Sequence, residues 1–336
     1  MTMINPFAGD AFSTTSLTAA VNKRPYAPSK LRTMGLFTPK SVRTDTVIVE
    51  EKDGQLGLIQ TSQRYQRAPT KGNSKRKARS FIIPHLKQER TIRADEVQGV
   101  RQFGSENELE TLQSKIDEKM DEALSDLDAT TEHHMLGAVS GLLLDADGSV
   151  IYDLFSEFQV AQHTEVDFDL DSAAAGIRSK TSAIRRLIKS ELGVQGNLPF
   201  GLEAFCDGEF FDALINHPEV KQAYDRFQEG AALREDYTHG VFTYAGVRWH
   251  DYQGMDDGSS GIGDQKVQFF PSGIPDLFTV TFAPADWNET VNRPGLPRYA
   301  AMPTELQTIR SATLEVQSNP LCLCTRPRVL IKGKRT

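Results

Sequence analysis

Three cysteines in 336 residues, Cys206, Cys322 and Cys324, are too few for a disulfide framework and point to buried thiols in a reducing compartment. No stretch reaches the roughly 18 consecutive apolar residues that a membrane span needs. The start, Met1 to Pro6 and onward, lacks a basic region followed by an apolar one, so no secretory signal is expected. Catalytic signatures are missing too. There is no Gly-x-Ser-x-Gly elbow and no His-Glu-x-x-His helix. Asp145-x-Asp147-Gly148 opens like a calcium loop, but such a loop needs Gly at its sixth position and Glu at its twelfth, where Val150 and Ser156 stand. Gly258 to Gly263 has the spacing of a phosphate loop, yet Asp264 occupies the position of the required Lys and would repel phosphate. Cys322 and Cys324 have no second Cys or His pair near them, and the adjacent His133 and His134 point in different directions on a helix. Scattered carboxylates could still meet in space, but no pair is singled out by the sequence, so an enzyme is not the expectation, and no metal or cofactor is expected.

What is present is a chain able to build a core, with 39% hydrophobic and 25% charged residues, long enough for two domains or one elaborated domain. The net charge of −7 conceals a division: residues 1–93 carry +11 and residues 94–336 carry −18. A basic front and an acidic body fit either a nucleic-acid arm or a chain that docks onto copies of itself.

Residues 1–44 scatter Phe7, Phe12 and Leu36 among Asn, Ser, Thr and Pro, which predicts an arm that orders on a partner. Residues 45–98 read as strands, with a run from Arg64 to Arg79 that holds seven Lys or Arg and no acid. This is the pattern of a long hairpin with a basic tip, poorly supported by its own chain. The spacing of Leu109, Leu112, Ile116, Met120, Ala123, Leu124 and Leu127 predicts a helix over 106–133, capped by Ser105 and roughly 40 Å long. Its other face carries Asp117, Glu118, Asp121, Glu122, Asp126 and Asp128. A hairpin around Asp147-Gly148, a strand over 158–170, a helix over 172–192, a strand-then-helix unit broken at Pro218, and further strands follow, the last two separated by Asn319-Pro320. The fold class is α+β.

The order of these parts, and several stretches in particular, resemble the major capsid proteins of tailed phages, specifically the E-type family with the Hong Kong 97 capsid fold. The stretches are GSVIYDLFSEFQVAQHTEVDFDL at 148–170, LPFGLEAFCDGEFFDALINHPEVKQAYDRF at 198–227, TYAGVRWHDYQG, KVQFFPSGIPDLFTVTFAPAD, and the tail ELQTIRSATLEVQSNPLCLCTRPRVLIKG. The resemblance implies an N-arm at 1–44, an extended loop at 45–100, a peripheral domain at 101–165 around a spine helix, an axial domain at 166–300, and return strands at 301–336. It implies a subunit that self-assembles into hexamers and pentamers of an icosahedral head, in the virion and, during assembly, in the host cytoplasm. The expected partners are other copies, a separate scaffolding protein, a portal, decoration proteins and packaged DNA on the inner face, with no membrane. No Lys/Asn pair for covalent cross-linking is identifiable.

The charge division nominates subunit contacts: Lys71, Lys75, Arg76, Lys77 and Arg79 of the hairpin tip against Asp117, Glu118, Asp121 and Glu122 of a neighbour's long helix. Two rivals remain. One is a nucleic-acid-binding protein using residues 64–79, for which salt-sensitive DNA retention would speak. The other is a metabolic α/β enzyme, which a long arm and hairpin fit badly.

Overall fold

A computed structural model describes residues 13–52, 76–93, 96, 112–221, 223–224, 241–252, 261–303, 306–307 and 311–336. The chain divides into two compact units, each assembled from separate stretches. The first comprises 1–47, 81–135 and 279–322, and the second comprises 48–80, 136–278 and 323–336.

The first unit is a helix-on-sheet sandwich. The arm helix Thr14–Lys23 starts where the Ser13 hydroxyl accepts the Ser16 N–H at 3.3 Å. Leu17 and Val21, one turn apart, are buried in a cluster with Ile116, Met120, Ala123, Leu124 and Leu127 of the long helix. Ile92, Ala300, Leu314 and Val316 close the cluster from a three-stranded sheet of Tyr299–Ala301, Ser311–Ser318 and Leu86–Arg93. The last two strands pair antiparallel from Leu86↔Ser318 to Arg93↔Ser311. Burying Leu17 and Val21 stabilises the packed arm by about 1.5–3 kcal/mol for each side chain. The expectation that the arm orders only on another copy is therefore corrected for the described part: this helix is an integral layer of its own body. Thr38–Ser41 then pairs in parallel with Phe278–Phe282, and its Pro39 is tolerated because the strand is an edge.

The second unit is organised by a six-stranded sheet in the order Val166–Asp167, Ile331–Lys334, Lys266–Ser272, Gly201–Cys206, Val247–Asp251, Val241–Tyr244. Gly201–Cys206 is covered on both faces, which explains its nearly unbroken apolar sequence. Phe168, Phe210, Trp249 and Phe269 form its aromatic core, with Phe168 stacked on Phe269 and edge-on to Trp249. Ala245 and Gly246, both at positive φ, make the tight turn between the last two strands. The helix Gly208–Asn216 stops before His217-Pro218, because proline disfavours helical geometry at the preceding residue.

Several expected boundaries move. The long helix is described from Leu112 and runs to Ser140, seven residues past 133, about 43 Å in all; Ser105 and residues 106–111 lie outside the described residues. Nothing breaks the helix at His133-His134, and Met135, Leu136, Ala138 and Val139 continue its buried side. It ends at Gly141, whose φ of +86° suits a left-handed cap and whose N–H reaches the Gly137 carbonyl at 2.8 Å. The strand expected over 158–170 shrinks to Val166–Asp167, since Gln159 and Asp169 adopt positive φ and Asp153 caps a short helix, Leu154–Glu157. The helix expected from 172 starts at Ile177, after Gly176 at φ +64°. Thr46–Lys52 and Arg76–Ile82 do pair as a two-stranded hairpin, while its tip, with Lys71 and Lys75, falls outside the described residues.

Candidate assembly surfaces

The most heavily built polar feature of the first unit joins the arm to the long helix. Arg24 bridges two turns of that helix, pairing with Asp117 at 2.5 Å and with Asp121. Two turns on, the buried carboxylates Asp128 and Glu132 hold the following segment by its backbone: Asp128 accepts the Ala27 N–H at 2.7 Å, and Glu132 accepts the Leu31 N–H at 2.8 Å. Glu132 thereby supports the start of the short helix Lys30–Thr33, where negative charge is favoured. Burial pushes the Glu132 carboxyl above the ordinary carboxylate range, against the opposing pull of the Leu31 N–H, Ser29 and Arg32. Arg298, 2% exposed, pairs with Asp128 at 2.5 Å and also donates to the carbonyls of Val21, Arg24 and Pro25. Tyr26 lies between two guanidinium groups, with Arg32 at 3.7 Å and Arg298 at 3.9 Å from its ring centre.

This clasp also answers where the nominated acids lie. Asp117 and Asp121 face Arg24; Glu118 pairs with Lys115 at 2.6 Å, and Glu122 with Lys119 at 3.0 Å. Asp126 pairs with Arg90. Asp128, counted with the solvent face in the sequence, is buried. The acidic stripe is thus already matched with cations of its own chain. Of the nominated cations, Arg76 and Lys77 lie in the strand Arg76–Ile82, and Arg79 donates to the Phe158 carbonyl at 2.9 Å with its guanidinium 5.0 Å from that ring centre. Arg79 is the one nominated cation whose side chain falls within the described residues, and it is placed at Phe158; Lys71 and Lys75, and the side chains of Arg76 and Lys77, lie outside them. The hairpin strands expose Ile48 and Ile82, at 65% and 66%, as large apolar side chains open to solvent.

A polar cluster in the second unit's sheet has the ingredients of chemistry. Glu203, fully buried, accepts from Ser272 at 2.7 Å, meets His250 at 2.9 Å and pairs with Arg248. Burial pushes this carboxyl up, but His250, Ser272 and Arg248 outweigh it and hold it below its usual range. The serine donates to the glutamate rather than to the histidine, so the hydroxyl is not activated as a nucleophile. The three cysteines are buried thiols, and burial raises the Cys322 and Cys324 pKa values, Cys324 to about 12. Among the described residues no group of three His, Cys, Asp or Glu could hold a metal, and no helix is long and apolar enough to cross a membrane.

The sequence reading missed the clasp. A signal existed: Asp128 and Glu132 follow Leu124 at four-residue steps, which places two carboxylates in phase with an apolar row. Acids in that phase need buried partners, and Arg298 supplies one from a distant stretch.

An arm layered on a long helix, a two-stranded hairpin and a separate mixed sheet together make the Hong Kong 97 capsid fold. Solved structures agree. The chain matches the capsid subunit of cyanophage A-1(L) with a TM-score of 0.53 at 10% identity, covering 97% of this chain and 99% of that one. It matches the capsid of the myovirus XM1 with a TM-score of 0.51 at 7% identity, covering 93% and 95%. At such identities the likeness concerns fold alone. Sequence carries it further: the major capsid protein of Pseudomonas phage KPP10 is 29% identical over 98% of both chains, and that of Salmonella phage Felix O1 is 27% identical over 95% of both. The family model for phage major capsid protein E matches residues 13–335, and the chain belongs to that family.

Proposed function

We propose that this chain is the shell-building subunit of a phage head, assembling through copies of itself into hexamers and pentamers of an icosahedral capsid. The match of the family model over residues 13–335 carries this reading, because it spans both units rather than one shared module. The role is structural and not enzymatic, and the place of the protein is the virion, reached through assembly in the host cytoplasm. In capsid terms the N-arm is 1–44, the extended loop 45–100, the peripheral domain 101–165, the axial domain 166–300, and the return strands 301–336. A separate scaffolding protein, a portal, decoration proteins and packaged DNA are the further partners. A nucleic-acid-binding protein acting through residues 64–79 gains no support from the relatives.

The two-stranded hairpin, with Ile48 and Ile82 exposed, fits a role in bridging to a neighbouring subunit. Its basic tip, with Lys71, Lys75, Arg76, Lys77 and Arg79, docks on the neighbour's Asp117, Glu118, Asp121 and Glu122. Because each of those acids already has a cation of its own chain, the contact tunes register and salt dependence rather than neutralising orphan charge. Light scattering across a concentration series tests both readings. Wild type forms capsomers or shells, and reversing Lys75, Arg76 and Lys77 to Glu shifts their salt dependence. A strictly monomeric wild type, with and without scaffold, contradicts the shell reading. A reversed variant with unchanged salt response contradicts the docking contact.

A further inference from the structure

Within the acidic body of the chain, one helix is basic. Ile177–Leu192 buries Ile177, Thr181, Ile184, Ile188 and Leu192 along one side. The remainder carries Arg178, Lys180, Arg185, Arg186 and Lys189 against a single acid, Glu191. Arg178, Arg186 and Lys189 are exposed, and no carboxylate of the described residues pairs with them. Lys180 and Arg185 donate to backbone carbonyls, of Phe168 at 2.9 Å and of Gly246, so neither charge is matched by an acid. Glu191 is already engaged by His163 at 3.1 Å and Arg328 at 3.0 Å. Glu219, beside the start of the helix, is engaged by the Ile177 and Arg178 N–H groups and by the Tyr244 hydroxyl. Elsewhere in the same unit, Arg248, Lys266, Arg328, Lys334 and Arg335 each face a carboxylate. Among the described residues of this unit, Lys221, Arg326 and Lys332 also form no ion pair with a carboxylate, but Arg326 donates to the Leu192 carbonyl and Lys332 is half-buried, whereas Arg178, Arg186 and Lys189 gather three exposed cations on one helix face.

We infer that this face binds the phosphate backbone of nucleic acid, and so lines the interior of the shell. The inference rests on the capsid reading for its location. Arg178, Arg186 and Lys189 lie along about 16 Å of helix, a length that spans several phosphates of one strand. A subunit interface is a poorer match. The cores of such interfaces are depleted of charge and need apolar side chains, whereas Ala183 is the one exposed apolar residue of this helix. Phosphate contact needs no apolar burial and gains from counterion release. The acidic remainder of the body confines binding to this face and keeps it weak, as a packaged genome that must leave the head requires.

The test uses the full unassembled chain and a fluorescent 30-base-pair duplex of arbitrary sequence, titrated at about 50 to 200 mM salt. The variant R178Q/R186Q/K189Q alters exposed side chains only, and circular dichroism checks its fold. Wild type binds the duplex at low salt. The variant binds at least tenfold more weakly, with a slope of log K against log salt shallower by about 2 to 3. Equal binding by variant and wild type overturns the inference, as does tighter binding of polyglutamate than of the duplex, which would make the occupant an acidic protein. A loss that appears only when Lys75, Arg76 and Lys77 are replaced assigns the contact to the hairpin and overturns it too. Electron microscopy of the same preparations reads shell formation separately: shells from the variant with DNA binding lost support both readings, and absence of shells from wild type strikes the capsid reading alone.

Discussion

Asp128 and Arg298, 170 residues apart in sequence, meet as a 2.5 Å ion pair with side chains 6% and 2% exposed. Around this pair the arm is tied down: Asp128 also accepts the Ala27 N–H, and Arg298 stacks on Tyr26. Removing one member leaves a charge buried without its counterion, which costs about 3–5 kcal/mol. Asp128→Ala is therefore expected to lower unfolding free energy by about 3 kcal/mol or more in urea titration. The double variant D128L/R298M recovers part of the loss, because two apolar side chains leave no orphan charge. A loss below about 1 kcal/mol for Asp128→Ala shows that the pair is solvated and the clasp loose.

Glu132 gives the clasp a pH dependence. Burial raises its folded pKa above the unfolded value, so its favourable contribution is complete at low pH and declines as pH rises through the folded pKa. Glu132→Gln keeps an acceptor for the Leu31 N–H and removes the charge. Melting temperature against pH is expected to show the Gln variant at least as stable as wild type at pH 8, with the difference narrowing on acidification. A Gln variant whose deficit grows toward pH 8 contradicts the assignment.

How much of this was legible from sequence varies with the range of the forces involved. The long helix, the Asp147-Gly148 turn, the break at Pro218 and the strands flanking Asn319 follow from local periodicity and turn chemistry, and the structure places them near the expected positions. The hairpin pairing was legible for the same reason. The arm was misread because Leu17 and Val21 are only two buried side chains, and their value depends on a surface formed by residues some hundred and three hundred positions away. Local composition carries no trace of that surface. The acidic stripe was read correctly as a stripe, but its cations come from Arg24, Arg90 and neighbouring turns, and only the folded chain shows that they satisfy it.

Glycine at the end of the long helix is a stringent position. Gly141 has φ +86°, and a Cβ there would strike the Phe155 ring. Gly141→Ala is expected to cost about 1–3 kcal/mol from backbone strain alone, with the collision added. Gly148, at φ +81° with open space around it, is the control: Gly148→Asn is expected to cost less than about 1 kcal/mol, because Asn tolerates this conformation in a turn. Thermal melts of the two variants check the order, and equal effects contradict it.

Cys206, Cys322 and Cys324 are fully buried, and desolvation holds the Cys324 pKa near 12. The thiolate fraction of Cys322 and Cys324 at neutral pH is therefore negligible, and with all three side chains buried none is expected to react with a thiol-specific disulfide reagent until the protein unfolds. Rapid modification of native protein contradicts their placement.

The most direct test of the central claim is electron microscopy of the purified full-length protein, alone and with scaffolding protein, over a rising concentration series. The account predicts rings of five or six subunits and closed shells of uniform size. Particles that remain single subunits under every condition contradict it.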